Sequence, residues 1–200
     1  MNLFNYIENQ SNKIGNYLGK DETEDDKEVY SYAIFGILSQ IFTFGTGIIV
    51  ASLFGYFIPF LLVIFSFIIL RIGGGGFHCS SFRNCYILSL SIFFFGTILS
   101  IVTKTLPNFM FLVSIFCGIY ILPVCPKPSK NSPSRGYNGD IKFRKKYRNA
   151  LLFLLSLSMI FIYFKVYLYS TAISSGILIA SFMIGFKMPE IVRSKSKINI

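Results

Sequence analysis

The strongest constraint on this chain is a long segment without any charged side chain, residues 29–70. A membrane-spanning helix needs about 20 apolar residues, so this segment is long enough for two. Residues 86–103 and 105–126 are also uncharged, and residues 149–186 carry only Lys165. Charged residues make up 14% of the chain, against roughly 25% in ordinary globular proteins. The sequence therefore predicts an all-α, polytopic membrane protein with about six transmembrane helices.

Turn-forming residues divide these segments into helices. Gly55 marks a turn in the first segment, Pro107 lies in a short turn after the third helix, and residues 170–171 (Ser-Thr) mark a turn in the last segment. The predicted spans are residues 31–54, 56–71, 86–103 and 109–124, followed by two within residues 149–186. Residues 29–200 are predicted to form a single membrane-embedded domain.

The N-terminal segment is too polar to cross a membrane. Phe4, Ile7 and Ile14 recur at helical spacing within residues 2–20, which predicts an amphipathic helix. Such a helix lies in the membrane interface or packs on its own protein. Residues 21–28 hold six of the nine acids of the chain and are predicted to be a solvated linker, so that residues 1–28 stand apart from the membrane domain. No secretory signal peptide is recognisable, so the first membrane helix is predicted to direct insertion.

A second polar loop is predicted at residues 125–148. It holds eight basic residues against Asp140 alone, a net charge of +7. Lysine and arginine accumulate in cytoplasmic loops of membrane proteins. With six spans and both termini inside, this loop, the basic tail and residues 71–85 all lie on the cytoplasmic side. The prediction is therefore a multi-pass membrane protein, with the 71–85 loop facing the cytoplasm.

The 71–85 loop holds the residues with the clearest chemical potential. It contains the only histidine of the chain, His78, and two of the four cysteines, Cys79 and Cys85. A thiol becomes a good nucleophile as thiolate, and a neighbouring imidazole can take its proton near neutral pH. The side chains of His78 and Cys85 can meet if the loop turns back or if Cys85 begins the next helix. Cys79 adjoins His78, where side chains diverge, and Cys117 lies in an apolar span without a base. The pattern predicts a cysteine nucleophile, Cys85, with His78 as its base.

The glycines and arginines of this loop have a physical interpretation of their own. Four consecutive glycines, residues 73–76, permit unusual backbone angles and a close approach of a substrate backbone. The N–H groups of Gly75 and Gly76 are candidates for binding an oxyanion. Arg71 and Arg83 would attract an acidic peptide or anionic lipid.

Several alternatives remain at this point. The His-Cys pairing is often incidental, and the glycines would then be only a link between helices. Zinc bound by His78, Cys79 and Cys85 would have a ligand spacing unlike the standard ones. A small transporter or membrane adaptor would carry polar residues inside its spans, where Gln40, Lys165 and scattered Ser and Thr occur. An intramembrane metalloprotease needs several His and Glu ligands, which this chain lacks.

The loop also resembles that of a known family. Arg71, Gly75, Gly76, His78 and Cys85 form the pattern Arg…Gly-Gly-x-His-x6-Cys between the second and third spans. This pattern is similar to that of the accessory gene regulator B (AgrB) membrane endopeptidases, which act in peptide quorum sensing in Gram-positive bacteria. The resemblance covers nearly the whole chain. One departure is the second thiol in the loop, at a position where the family more often has Ala or another small residue.

The resemblance implies a reaction and its partners. Family members cleave a small propeptide, AgrD, through an acyl-enzyme thioester on the catalytic cysteine. A Cys or Ser of the propeptide then attacks this thioester and releases a thiolactone or lactone ring. It implies a homodimer in contact with membrane lipid, with no cofactor, no metal and no nucleic-acid partner.

Residues 142–148, here called the basic arm, gain a candidate role from the same resemblance. Family propeptides carry an acidic C-terminal tail, which the basic residues are predicted to bind and steer. The alternative is that they only mark the cytoplasmic side. The predicted tail-binding residues are Arg71, Arg83, Lys142, Arg144, Lys145 and Lys146.

Overall fold

The computed structural model describes residues 9–11, 13–14, 17, 24–74, 82–123, 125 and 137–185. From residue 24 onwards, the described chain forms six helices and no strand, which confirms the all-α prediction. They are α1 (Glu24–Leu53), α2 (Phe57–Gly74), α3 (Phe82–Val102), α4 (Pro107–Ile121), α5 (Tyr137–Tyr163) and α6 (Tyr167–Gly185).

Helix α6 is the centre of the bundle, and α2, α3, α4 and α5 all pack against it. Its small residues allow this close packing. A Cβ atom at Gly176 would lie 2.8 Å from the carbonyl oxygen of Val63 and 2.7 Å from Cβ of Ser66. Small residues at helix contacts are typical of membrane bundles, where van der Waals packing drives association. Helix α1 lies at the edge and packs on α2 and α3.

Buried hydroxyl groups join α6 to two of its neighbours. Oγ of Ser158 in α5 lies 2.9 Å from Oγ of Ser170. Thr171 donates a hydrogen bond of 2.9 Å to the carbonyl oxygen of Ser100 in α3. Because these groups are fully buried, each bond satisfies a polar atom that would otherwise be costly to remove from water.

Large apolar side chains cover the outside of the bundle. Phe95, Phe116 and Tyr163 are 63%, 72% and 83% exposed. Helix Tyr167–Gly185 is long and apolar enough to cross a membrane, by length and composition. Four shorter apolar helices accompany it among the described residues: Gln40–Leu53, Phe57–Gly73, Tyr86–Val102 and Pro107–Ile121. The fold is therefore compatible with a helical membrane protein, and the count of six spans stays a prediction.

The N-terminal segment is helical where the structure describes it, at residues 9–11, 13–14 and 17. On the predicted apolar face, Ile14 is 42% and Tyr17 is 79% exposed. Ser11 of the same segment is 1% exposed. The segment is therefore buried at Ser11 and exposed at Ile14 and Tyr17, and both alternatives stay predictions. Phe4 and Ile7 lie outside the described residues.

The turn of the last hairpin lies earlier than predicted. Helix α5 ends at Tyr163 and α6 begins at Tyr167. Between them, Lys165 has a φ of 61°, in the left-handed region that non-glycine residues rarely adopt. Ser170 and Thr171, predicted to form the turn, are fully buried in α6. The prediction was wrong because Ser and Thr occur at tight helix contacts as well as in turns. Lys165, the only charged residue of this segment, indicated the position of the turn better.

Four helices extend into segments predicted as long linkers or loops. Helix α1 begins at Glu24, within the predicted acidic linker, and both α2, which continues to Gly74, and α3, which begins at Phe82, extend into the predicted 71–85 loop. Helix α5 begins at Tyr137, so the second half of the 125–148 loop is helical. The predictions were wrong in the same way at α1 and α5, because polarity was taken to indicate a loop. Glu, Lys and Arg are good helix formers, so a polar sequence can continue a helix beyond its apolar part.

Candidate active site

The structure describes the two helical ends of the predicted catalytic loop. Arg71 lies in the last turn of α2, and the backbone of Cys85 lies in the first turn of α3. His78, Gly75 and Gly76 lie outside the described residues, as does the side chain of Cys85. The approach of His78 to Cys85 thus stays a prediction.

The two arginines of the loop lie at its opposite ends. Arg71 is half-buried, and its guanidinium carbon lies 5.4 Å from the ring centroid of Phe67. This arrangement permits a cation–π contact, and a cation in the last turn also suits the helix dipole. Arg83 is exposed in the first turn of α3. Each arginine is therefore positioned by a helix end.

The end of α2 packs directly on the basic arm of α5. A Cβ atom at Gly73 would lie 2.6 Å from the backbone nitrogen of Tyr147 and 2.8 Å from its Cα. Only glycine lets two backbones approach this closely. The residues that lead into the 75–81 segment thus lie beside the arm that carries the predicted tail-binding lysines.

The basic side chains of the arm are exposed: Lys142, Arg144, Lys145, Lys146 and Arg148. Arg144 is different from the lysines, because it also binds the segment that follows α4. Its Nε donates to the carbonyl oxygen of Cys125 at 3.0 Å, and its Nη2 donates to that of Pro123 at 3.3 Å. Both carbonyls come after Ile121, the last residue of α4, so this side chain ties α5 to the chain that leaves α4. Arg144 therefore has a structural role that spacing in the sequence did not indicate.

We expect Arg144→Ala to lower the free energy of unfolding by about 1 kcal/mol, because two hydrogen bonds to the segment after α4 are lost from a partly solvated position. Thermal unfolding of the purified protein in detergent measures the effect. Lys145→Ala is the matched control, since it removes a neighbouring exposed cation of the same arm. Equal melting temperatures for the two variants would contradict this structural role of Arg144.

Burial makes two other groups of this region chemically inert near neutral pH. Burial raises the pKa of the Cys125 thiol to about 11, although the charge of Arg144 acts in the opposite direction. Burial raises the pKa of Tyr147 to about 12, partly offset by the Ser181 hydroxyl. Since a thiol reacts as thiolate, Cys125 is a poor nucleophile. Among the described residues, no group of three or more His, Cys, Asp or Glu side chains is placed to hold a metal ion.

Gly73 and Tyr147 form a contact beside the loop that sequence reasoning missed. The glycine was interpreted as part of a run that permits unusual backbone angles and the close approach of a substrate. The tyrosine stood within a run of cations, although its spacing to Leu151 and Leu154, both buried in α5, is that of one helix face. Extending the helical period of the last span backwards through the basic arm would have identified Tyr147 as buried.

The family model described as accessory gene regulator B (AgrB) matches residues 11–184 of the chain. The chain belongs to the accessory gene regulator B family. The match includes the whole 71–85 loop and the whole basic arm. Comparisons of the chain with curated proteins and with solved structures give no match.

Membership in the AgrB family connects the chain with the agr quorum-sensing system and with membrane-associated processing of an AgrD-like propeptide. The resemblance based on the loop residues is thereby confirmed. The described geometry adds that the loop leaves α2 beside the basic arm and returns to a helix start that holds Cys85.

Proposed function

We propose that this chain is a membrane cysteine endopeptidase that cleaves an AgrD-like propeptide and closes it into a thiolactone or lactone ring. The observation that carries the proposal is the contact between Gly73 and Tyr147 in a chain of the AgrB family. It joins the start of the loop that bears His78 to a cationic helix suited to an acidic peptide tail. The helix that follows the loop supplies Cys85 in its first turn.

The reaction begins with transfer of the Cys85 proton to His78. The thiolate attacks the carbonyl carbon at the end of the future ring, and N–H groups of Gly75 and Gly76 stabilise the oxyanion. The C–N bond breaks, and His78 returns the proton to the leaving amine. The product is an acyl-enzyme thioester on Cys85. A thiol or hydroxyl of the propeptide then attacks the thioester, so that the ring closes and the Cys85 thiol is released.

Ring closure competes with hydrolysis, so the acyl-enzyme needs protection from water. The exposed apolar surface of the bundle supports a position within lipid, where the walls of the site exclude water. In this arrangement the six helices are the spans, and the lysine and arginine distribution directs the loop to the cytoplasm. The homodimer is part of the same proposal and rests on the family resemblance.

The transporter or adaptor alternative gains no support from the described residues. A solute path would need polar groups that face an aqueous passage. Every buried side-chain nitrogen or oxygen of the described residues except Ser181 Oγ has a hydrogen-bond partner. Gln40 and Lys165 are exposed rather than buried in the bundle.

The proposal is tested by incubating the purified chain in lipid vesicles with an AgrD-like propeptide. Mass spectrometry should detect a linear C-terminal fragment and an N-terminal fragment whose mass is lower by one water than that of the hydrolysis product. An unchanged propeptide, or fragments in the same amount without the enzyme, would contradict the proposal.

The basic arm provides a prediction about substrate affinity. We expect a variant with Lys142, Lys145 and Lys146 all changed to Gln to raise KM about tenfold at low salt, since exposed ion pairs contribute up to about 1 kcal/mol each. The turnover number should change little, because these side chains do not touch the reacting atoms. The difference in KM should shrink as salt screens the charges.

Lys104→Gln is the matched control, because Lys104 is exposed in the turn before α4, on the opposite predicted side of the membrane. Equal KM values for the triple variant and the wild type at low salt would contradict tail binding by these lysines. Their role would then be limited to directing the membrane topology.

A further inference from the structure

Tyr147 is a buried titratable residue that the proposed reaction does not use. It is 0% exposed although its neighbours in the basic arm are exposed. Its hydroxyl donates to the carbonyl oxygen of Gly118 in α4 at 3.4 Å. Ser181 in α6 is close enough for its hydroxyl to act on the pKa of the phenol, and its Oγ is buried without a partner in hydrogen-bond geometry. Tyr147 therefore lies where α4, α5 and α6 meet.

The same residue is the contact point for α2. The near approach of Gly73 involves the backbone nitrogen and Cα of Tyr147, and a Cβ atom at Gly73 would also lie 3.0 Å from Cβ of Tyr147. Backbone atoms cannot move aside in the way that the end of a flexible side chain can. Arg144, one turn earlier in α5, is hydrogen-bonded to the segment that follows α4. This part of α5 is therefore held by contacts other than the one with α2.

The position of this contact along the chain matters for the reaction. Gly73 precedes Gly75 by two residues and His78 by five. The loop returns to α3, which packs on α1, α2 and α6. In the sequence the predicted base follows the end of α2, and the predicted nucleophile lies in the first turn of α3. We therefore expect a displacement of either helix end to change their separation.

We propose that Tyr147 is a positioning residue of the candidate active site. Its backbone seats Gly73, and its ring, held between α4 and α6, fixes the point at which the catalytic loop leaves α2. This inference rests on the proposed function and deepens it, because it couples the substrate-binding arm to the geometry of the His78–Cys85 pair.

The closeness of Gly73 to Tyr147 determines how much a substitution at Gly73 should lower the rate. Carbon atoms in van der Waals contact are about 3.5–4.0 Å apart, whereas a Cβ atom at Gly73 would lie 2.8 Å from Cα of Tyr147. Gly73→Ala therefore moves α2 and α5 apart by roughly 1 Å. A misplacement of that size in a catalytic arrangement lowers the rate by about 100-fold.

The experiment compares Gly73→Ala with Gly45→Ala in the full chain in lipid vesicles. Gly45 lies in α1, and a Cβ atom there would meet nothing within 4 Å. Both variants make the same chemical change within a helix, so they share the same gain in helix propensity. Two readouts are used: kcat and KM for an AgrD-like propeptide, and the rate at which iodoacetamide alkylates Cys85. Trypsin cleaves after Arg83, which places Cys79 and Cys85 on separate peptides for mass spectrometry.

We expect Gly73→Ala to lower kcat by about 100-fold with KM unchanged, and to slow alkylation of Cys85, whereas Gly45→Ala behaves as wild type. A merely structural role would reduce the amount of folded protein and leave the kcat of the folded fraction unchanged. Wild-type kcat and alkylation in Gly73→Ala would overturn the inference.

If Gly73→Ala does not fold, a second pair of variants tests the positioning role of Tyr147. Tyr147→Phe keeps the ring and should retain most of the wild-type kcat, while Tyr147→Leu should lose it. Equal activity of folded Tyr147→Leu and wild type would overturn the inference.

If the wild type cleaves no propeptide and its Cys85 alkylation is unaffected by His78→Ala, the proposed function itself fails. If the wild type is active and Gly73→Ala equals it, only the positioning role fails.

Discussion

Cys85→Ala is expected to reduce propeptide cleavage below detection, whereas Cys79→Ala is expected to cleave at nearly the wild-type rate. Removal of a covalent nucleophile lowers kcat on the order of 10⁶-fold in a well-studied serine protease. Cys85 lies in the first turn of α3, with six residues between it and His78 along the predicted loop, while Cys79 directly follows the predicted base in sequence. Mass spectrometry of the propeptide after incubation with each variant in vesicles measures the effect.

His78→Ala should also lose cleavage, because the thiol then lacks a base near neutral pH. Cys117→Ala is a suitable control, since Cys117 is a free, half-buried cysteine of α4. Cleavage by Cys85→Ala would show that the nucleophile is assigned incorrectly. Loss of cleavage in Cys79→Ala alone would transfer that role to Cys79.

Gly176→Leu is expected to prevent assembly of the bundle, and Gly176→Ala to destabilise it by about 1–3 kcal/mol through overpacking. Even a single added Cβ atom would lie 2.8 Å from the backbone oxygen of Val63 and 2.7 Å from Cβ of Ser66. Because α6 packs against four other helices, a displacement at this point affects the whole core. Thermal unfolding in detergent, together with the yield of the folded protein, measures both variants.

Gly45→Ala again provides the control, because it adds the same methyl group where no atom lies within 4 Å. Alanine favours a helix over glycine by up to about 1 kcal/mol, so this control should melt at or above the wild-type temperature. Identical melting of Gly176→Ala and Gly45→Ala would contradict the packing of α2 on α6.

The sequence predicted the helices wherever local chemistry decides them. Gly55 forms the first turn with a φ of 75°, as predicted. Pro107, predicted to lie in the next turn, instead opens α4, where its missing N–H has no cost. The prediction failed at Ser170 and Thr171, whose burial depends on partners in other helices. It also failed at Tyr137, because a polar sequence is compatible with both a loop and a solvated helix.

The candidate site was predictable only in part for the same physical reason. His78 and Cys85 stand out through their chemistry alone, and the family match supports the loop as a whole. The contact of Gly73 with Tyr147 joins residues far apart in the sequence, and so does the bond from Arg144 to Cys125. Neither follows from periodicity or composition, because both depend on how three helices cross.

The most direct test of the central claim is to trap the acyl-enzyme. A propeptide whose internal nucleophile is replaced by alanine cannot close the ring, so the thioester should accumulate. After an acid quench, trypsin cleavage at Arg83 and Lys104 isolates a peptide that contains Cys85 as its only cysteine. The account predicts that this peptide carries the N-terminal propeptide fragment through a bond that hydroxylamine cleaves. Cleavage without any adduct, or an adduct on the peptide that holds Cys79, would contradict it.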